Sequence, residues 1–149
     1  MAPPAALPSP AVEISARRAD KEQEMEQSLE QWAHAFLHKV DTEPAAALAS
    51  DLSEDLRFCM ANLPVTLGPQ ALIDAFAAAQ QRFDSIRHEI VGVTTGRWEE
   101  GDVVAIEARA HYLRNGREVV LPVTSTLRLR GGKVADYRIY IDPAPAFAD

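Results

Sequence analysis

The chain has 149 residues, 47% of them hydrophobic, and a formal net charge of -7, which suits one globular domain burying about two-thirds of its unfolded surface. Lys and Arg never form a block; phosphates need a concentrated basic face, so a nucleic-acid partner is not expected. No apolar run approaches the ~20 residues that cross a bilayer, and the single Cys59 leaves no internal disulfide and fits a reducing cytoplasm.

The opening MAPPAALPSPAV is rich in Ala and Pro and has no basic stretch before its apolar residues, so it makes a poor secretion signal. Residues 1–18 read as a mobile leader, and 19–149 as one domain. Asp20 is the expected N-cap of the first helix, with Gln23 in the capping-box position. Met25, Leu29, Trp32, Phe36 and Val40 then recur at spacings of three and four and form one apolar stripe. A second helix is expected from Thr42-Glu43-Pro44, and a third from Pro69, each with proline in the first turn, where its missing N–H costs nothing. The third should turn Leu72, Ile73, Phe76 and Phe83 inward.

Between these helices, Leu56 to Met60 reads as a strand closed by a turn at Ala61-Asn62. After Phe83 the period changes from 3.6 to 2, giving strands near 86–95, 102–113, 118–130 and 133–141. Asn115-Gly116 is a hairpin signal, since both turn positions want positive φ, and Gly131-Gly132 makes the next turn. Helices first and a meander last predict an α+β domain, its sheet covering the helices with one face.

Alternation along the long strand puts Val104, Ile106, Ala108, Ala110 and Tyr112 on one face and Glu107, Arg109 and His111 on the other. The apolar face should turn inward, joined by Leu121, Val123, Ser125 and Leu127, then Tyr137, Ile139 and Ile141. Arg138 and Tyr140 fall opposite. Small side chains at Ala108 and Ala110 leave room, which predicts a concave apolar pocket. Its expected walls are Trp32, Phe36, Phe58, Met60, Phe76, Ala108, Ala110, Leu121, Val123 and Ile139.

Tyr112, Tyr137 and Ser125 are the candidate catalytic groups, because a hydroxyl in an apolar pocket can bind a carbonyl or stabilise an enolate. His111 joins them only if its strand is bulged; otherwise Glu107, Arg109 and His111 form a polar outer surface. His34 and His38 stand four apart on the first helix, a spacing that suits a metal, but no third ligand accompanies them. The expectation is a solvated face and no metal. His88 is expected to be structural or exposed, Asp142 to cap a turn, and Cys59, beside no clear base, to be a weak nucleophile. No Gly-rich phosphate loop suggests a cofactor.

The run GREVVLPVTSTLRLRGGKVADYRIYIDPAP, residues 116–145, resembles the SnoaL-like branch of the nuclear-transport-factor-2-like superfamily, and the resemblance extends in element order over about residues 22–145. That branch includes polyketide cyclases, ketosteroid isomerases and limonene-epoxide hydrolases. The resemblance implies a cone-shaped α+β fold, N-terminal helices packed on a strongly curved, mainly antiparallel mixed sheet, and a homodimer through the outer sheet face. Transfer of known mechanisms is mostly negative. The tyrosine and asparagine of the epoxide hydrolases fall at Phe58 and Met60, their water-activating aspartate at Ile139, and their Arg-x-Asp pair at Ala108 and Ala110. The ketosteroid-isomerase carboxylate base falls at Cys59 or Met60, neither of which can do its work. Both mechanisms are therefore disfavoured.

Three functions stay open. One is a cofactor-independent cyclase, isomerase or dehydratase acting on an apolar cyclic polyketide, terpenoid or steroid. The others are a noncatalytic module that binds an apolar small molecule, and a dimerisation domain with a filled pocket. The enzyme is preferred, because the resemblance leans that way.

Overall fold

The computed structural model describes all 149 residues. Helix α1 spans Pro10–Thr42, much longer than the stripe that predicted it. Ser9 caps it by accepting from the Val12 N–H, and Pro10 fills the first helical position. This corrects the reading of Asp20 as N-cap: the helix begins at Pro10, within the residues read as a leader. Ser-Pro is a start signal, and the Ala, Glu and Arg that follow favour helix without any packing partner. Residues 10–28 are exposed throughout, so only the second half of α1 reaches the core, through Ala33, Phe36 and Leu37. The helix stops at Thr42 because Glu43 precedes Pro44, which pushes it to extended geometry (φ -108°, ψ 156°).

The expected second helix is instead a seven-residue 3-10 helix, Ala45–Asp51. Only Ala45 and Leu48 are buried there, too few for a longer helix face. Side chains from both neighbours hold it. The Gln80 amide accepts from Ala45 N–H and donates to the Glu43 carbonyl, while Lys39 Nζ lies 2.7 Å from Asp51 Oδ2. Strand β1 (Leu52–Met60) and a two-residue β2 (Thr66–Leu67) follow, then α2 (Pro69–Arg82).

Four strands complete the chain: β3 (Ser85–Trp98), β4 (Gly101–Arg114), β5 (Arg117–Arg130) and β6 (Lys133–Tyr140), with a one-turn α3 at Ala144–Phe147. Asn115 and Gly116 both have positive φ (50° and 76°), as a two-residue hairpin requires. The six strands lie in the order β2-β1-β6-β5-β4-β3. Only the β1–β6 pair is parallel. A bulge in β3 between Ile90 and Gly92 and an irregularity in β5 between Arg128 and Leu129 help the sheet curl around the helices. This is the α+β fold with helices on a curved mixed sheet that the sequence predicted.

Alternation holds along β4. Val104, Ile106, Ala108, Ala110 and Tyr112 are buried, and Glu107 and Arg109 are exposed. The β4–β5 register runs without a shift, so His111 stays on the outer face. Tyr137 anchors the core, its ring surrounded by Phe36, Phe58 and Phe76 at centroid distances of 5.8, 5.9 and 6.2 Å. No helix is long and apolar enough to cross a membrane.

Candidate functional site

A cavity of about 790 Å³ opens between α2, the end of α1 and the inner faces of β3 to β6. Three of the four candidate catalytic residues line it: Tyr112, Tyr137 and Ser125. So do Met60, Phe76, Val123 and Ile139. The other expected wall residues do not. Phe36 and Phe58 are spent enclosing Tyr137, and Trp32 stacks on Phe36 at 5.0 Å. The room predicted beside Ala108 and Ala110 is closed: they are 6% and 0% exposed, in the packed core that α1 enters through Ala33, Phe36 and Leu37. Leu121 belongs to the same packed core. The open volume borders these alanines, lined by His88 opposite Ala110, Val123 opposite Ala108, and Tyr112.

The sequence reading missed a polar pair that lines this cavity. His88 sits on β3 between Ile86 and Ile90, and all three turn inward. Its Nδ1 lies 2.6 Å from Asp41 Oδ1, and its backbone N–H donates to Asp41 Oδ2 at 2.8 Å. Asp41 stands in the last turn of α1, one residue after Val40, so a single carboxylate stitches helix to strand with both oxygens. The two side chains are 15% and 12% exposed, and both line the cavity. Held this way at Nδ1, the ring leaves Nε2 without a hydrogen-bond partner in the chain, and the residue lines the cavity. Alternation could have found this site, since Ile86-x-His88-x-Ile90 puts the imidazole on an apolar face.

The hydroxyls opposite are neutral donors. Burial pushes the Tyr137 phenol far above its ordinary value; the Ser125 side chain hydrogen-bonded to it opposes that shift, and the negative Asp41 adds to it. Burial alone raises Tyr112. Both rings therefore carry their protons across the physiological range and can donate to a ligand oxygen.

Outside the cavity, His111 bridges two carboxylates: Nδ1 to Glu118 at 2.6 Å and Nε2 to Glu89 at 3.0 Å. Both ring nitrogens are occupied, and the side chain faces away from the cavity, so it takes no part in that site. Those carboxylates, Glu118 first, raise its pKa. His34 and His38 are exposed on α1, and no three potential ligands cluster anywhere as a metal site would require. Asp142 accepts from the Ala144 N–H, capping the turn into α3. Cys59 lies on the sheet side opposite Phe58 and Met60, its thiol near the carbonyls of Ala61 and Leu63.

Comparison with known proteins gives the same architecture. A protein proposed as a SnoaL-like polyketide cyclase from Jannaschia sp. CCS1 superposes with a TM-score of 0.67 at 16% identity, over 82% of this chain and 90% of that one. A proposed dehydratase of the nuclear-transport-factor-2-like family from Streptomyces avermitilis also gives 0.67, at 12% identity over 81% and 98%. An LEH-like epoxide hydrolase of M. tuberculosis gives 0.62 at 18% identity over 77% and 83%. At these identities the likeness establishes the fold alone. No curated protein sequence matches the chain. The family model described as SnoaL-like domain matches residues 33–137, from the buried part of α1 to the tyrosine at the centre of the core, and the chain belongs to that family.

Proposed function

We propose that the protein is a cofactor-independent enzyme that moves a proton at a carbon beside a carbonyl, within an apolar cyclic substrate of the polyketide, terpenoid or steroid kind. The Asp41–His88 pair facing a cavity lined mainly by apolar side chains carries this reading. His88 Nε2 takes the proton, the C–H electron pair becomes an enolate, and the neutral phenol of Tyr137 donates to the enolate oxygen. Asp41 stabilises the imidazolium and holds the ring's orientation. The enolate then has three outlets. His88 returns the proton to another carbon (isomerisation), or gives it to a departing β-hydroxyl as water leaves (dehydration), or the enolate carbon attacks a second carbonyl, whose oxygen takes the proton from His88 (ring closure). None needs an oxidant or a metal.

A volume of about 790 Å³ falls in the range of sites that enclose drug-sized ligands. Ring systems bury apolar area against Phe76, Val123 and Ile139, leaving one oxygen for the hydroxyls. The test is hydrogen–deuterium exchange in D₂O, followed by NMR, on a panel of polycyclic ketones and β-hydroxy ketones. Enzyme-dependent deuteration beside the carbonyl, lost in His88→Asn, is the expected result. A panel whose members bind but show no exchange above the His88→Asn background would leave a noncatalytic binding module as the function.

A further inference from the structure

A second concavity of about 340 Å³ lies at the β4–β5 hairpin end of the sheet, behind the wall made by Phe83 and Tyr112, which it shares with the main cavity. Its floor is apolar, built from Phe83, Tyr112, Val119 and Ala146. Its polar rim is Arg114 and Arg117, with Asn115 between them. The two arginines are directly paired across the hairpin and share the inner face with Tyr112 and Val119. Like charges placed opposite one another on neighbouring strands oppose folding. Neither forms an ion pair, although Asp149 also lines the groove. Arg117 donates to the Ala148 carbonyl at 3.2 Å, and Arg114 has no partner within the chain. An Asn-Gly turn needs no flanking cations, so the fold gives Arg117 a partner in the C-terminal segment but leaves Arg114 unaccounted for.

We propose that this groove binds an amphipathic organic acid, its carboxylate between Arg114 and Arg117 and its hydrocarbon on Phe83, Tyr112 and Val119. Guanidinium forks match a carboxylate in geometry and charge. The aromatic floor supplies the apolar part, and the ligand removes the repulsion between the two arginines. The site stands apart from the chemistry proposed for the Asp41–His88 pair, and its test does not depend on turnover.

The probes are octanoate and 1-octanol, which share a chain and differ in the headgroup. Calorimetric titration and backbone amide NMR should show octanoate binding saturably, with the largest shifts at Asn115, Val119 and Ala146. Octanol should bind at least about tenfold more weakly. Arg114→Gln removes a side chain that the fold leaves unused, so it should weaken octanoate at least about tenfold while keeping the spectrum of the folded protein. Octanoate should also raise Tm where octanol does not. His88→Asn should leave octanoate affinity unchanged, which separates this groove from the main cavity. Equal affinity for the two probes, shifts centred on His88 and Ser125, or an unaltered affinity in Arg114→Gln would each overturn the assignment.

Discussion

Asp41→Asn tests the core of the functional reading, because it changes charge and hydrogen bonding without changing shape. The aspartate accepts twice from one residue, from His88 N–H at 2.8 Å and from Nδ1 at 2.6 Å. Asparagine has one acceptor and one donor head. If its oxygen keeps the backbone N–H, its amide donates to Nδ1, and the imidazole proton must move to Nε2. The cavity then faces a donor where it had an acceptor, and the general base is gone. Replacing a charged hydrogen bond at 12% exposure by a neutral one should cost about 1–2 kcal/mol, or roughly 2–8 °C in Tm for a chain this long. Catalytic loss should be far larger, about 10²–10⁴-fold, the span of general-base contributions. Long-range ¹H–¹⁵N correlation of the imidazole reads the tautomer directly. Nδ1 should be the protonated nitrogen in the wild type and Nε2 in the variant. An unchanged tautomer, or activity within a few-fold of wild type, would refute the assignment of Asp41 as the residue that positions His88.

Tyr137→Phe keeps the ring among Phe36, Phe58 and Phe76, so the fold should survive while turnover falls about 10²–10³-fold, measured as kcat on any substrate found by the exchange screen. Phe58→Ala empties one side of that aromatic cluster and should cost about 3–5 kcal/mol, seen as a urea midpoint shift with an unchanged slope. His111→Gln should act on the pH dependence of stability. The wild-type folded pKa is raised by Glu118 and Glu89, so the bridge stabilises fully below the ordinary value of about 6.5 and fades as pH rises through the folded value. The Tm gap between wild type and variant should therefore be wide near pH 6 and narrow near pH 9; a gap independent of pH would show that the two bridges contribute nothing through charge.

The sheet was readable because its signals are local and strong. Asn115-Gly116 fixes one hairpin through its two positive φ angles, and the alternation from Val104 to Tyr112 fixes the buried face of β4 without reference to any other element. Helix α1 was misjudged at its start because an apolar stripe reports packing, and residues 10–28 pack on nothing. Their helicity rests on the Ser9 cap, Pro10 and intrinsic propensity, signals that a search for burial passes over. The 3-10 helix was misjudged for the converse reason. Its ends are held by Gln80 at Ala45 and by Lys39 at Asp51, partners remote in sequence from the residues they hold.

The cavity was half legible, and the division follows from how it is made. Residues that line it from β5 and β6, Ser125, Tyr137 and Ile139, obey the alternation that identified them. Small side chains did not mark the opening, because Ala108 and Ala110 are closed into the packed core. The void lies where α1 ends and no longer covers the sheet. At such an end the last helical turn must carry polar groups, and Asp41 is one of them. The strand beside it offers His88, whose ring would otherwise be a half-buried polar group among isoleucines. The Asp41–His88 pair and the cavity thus lie at one place, where α1 stops at Thr42 ahead of Pro44.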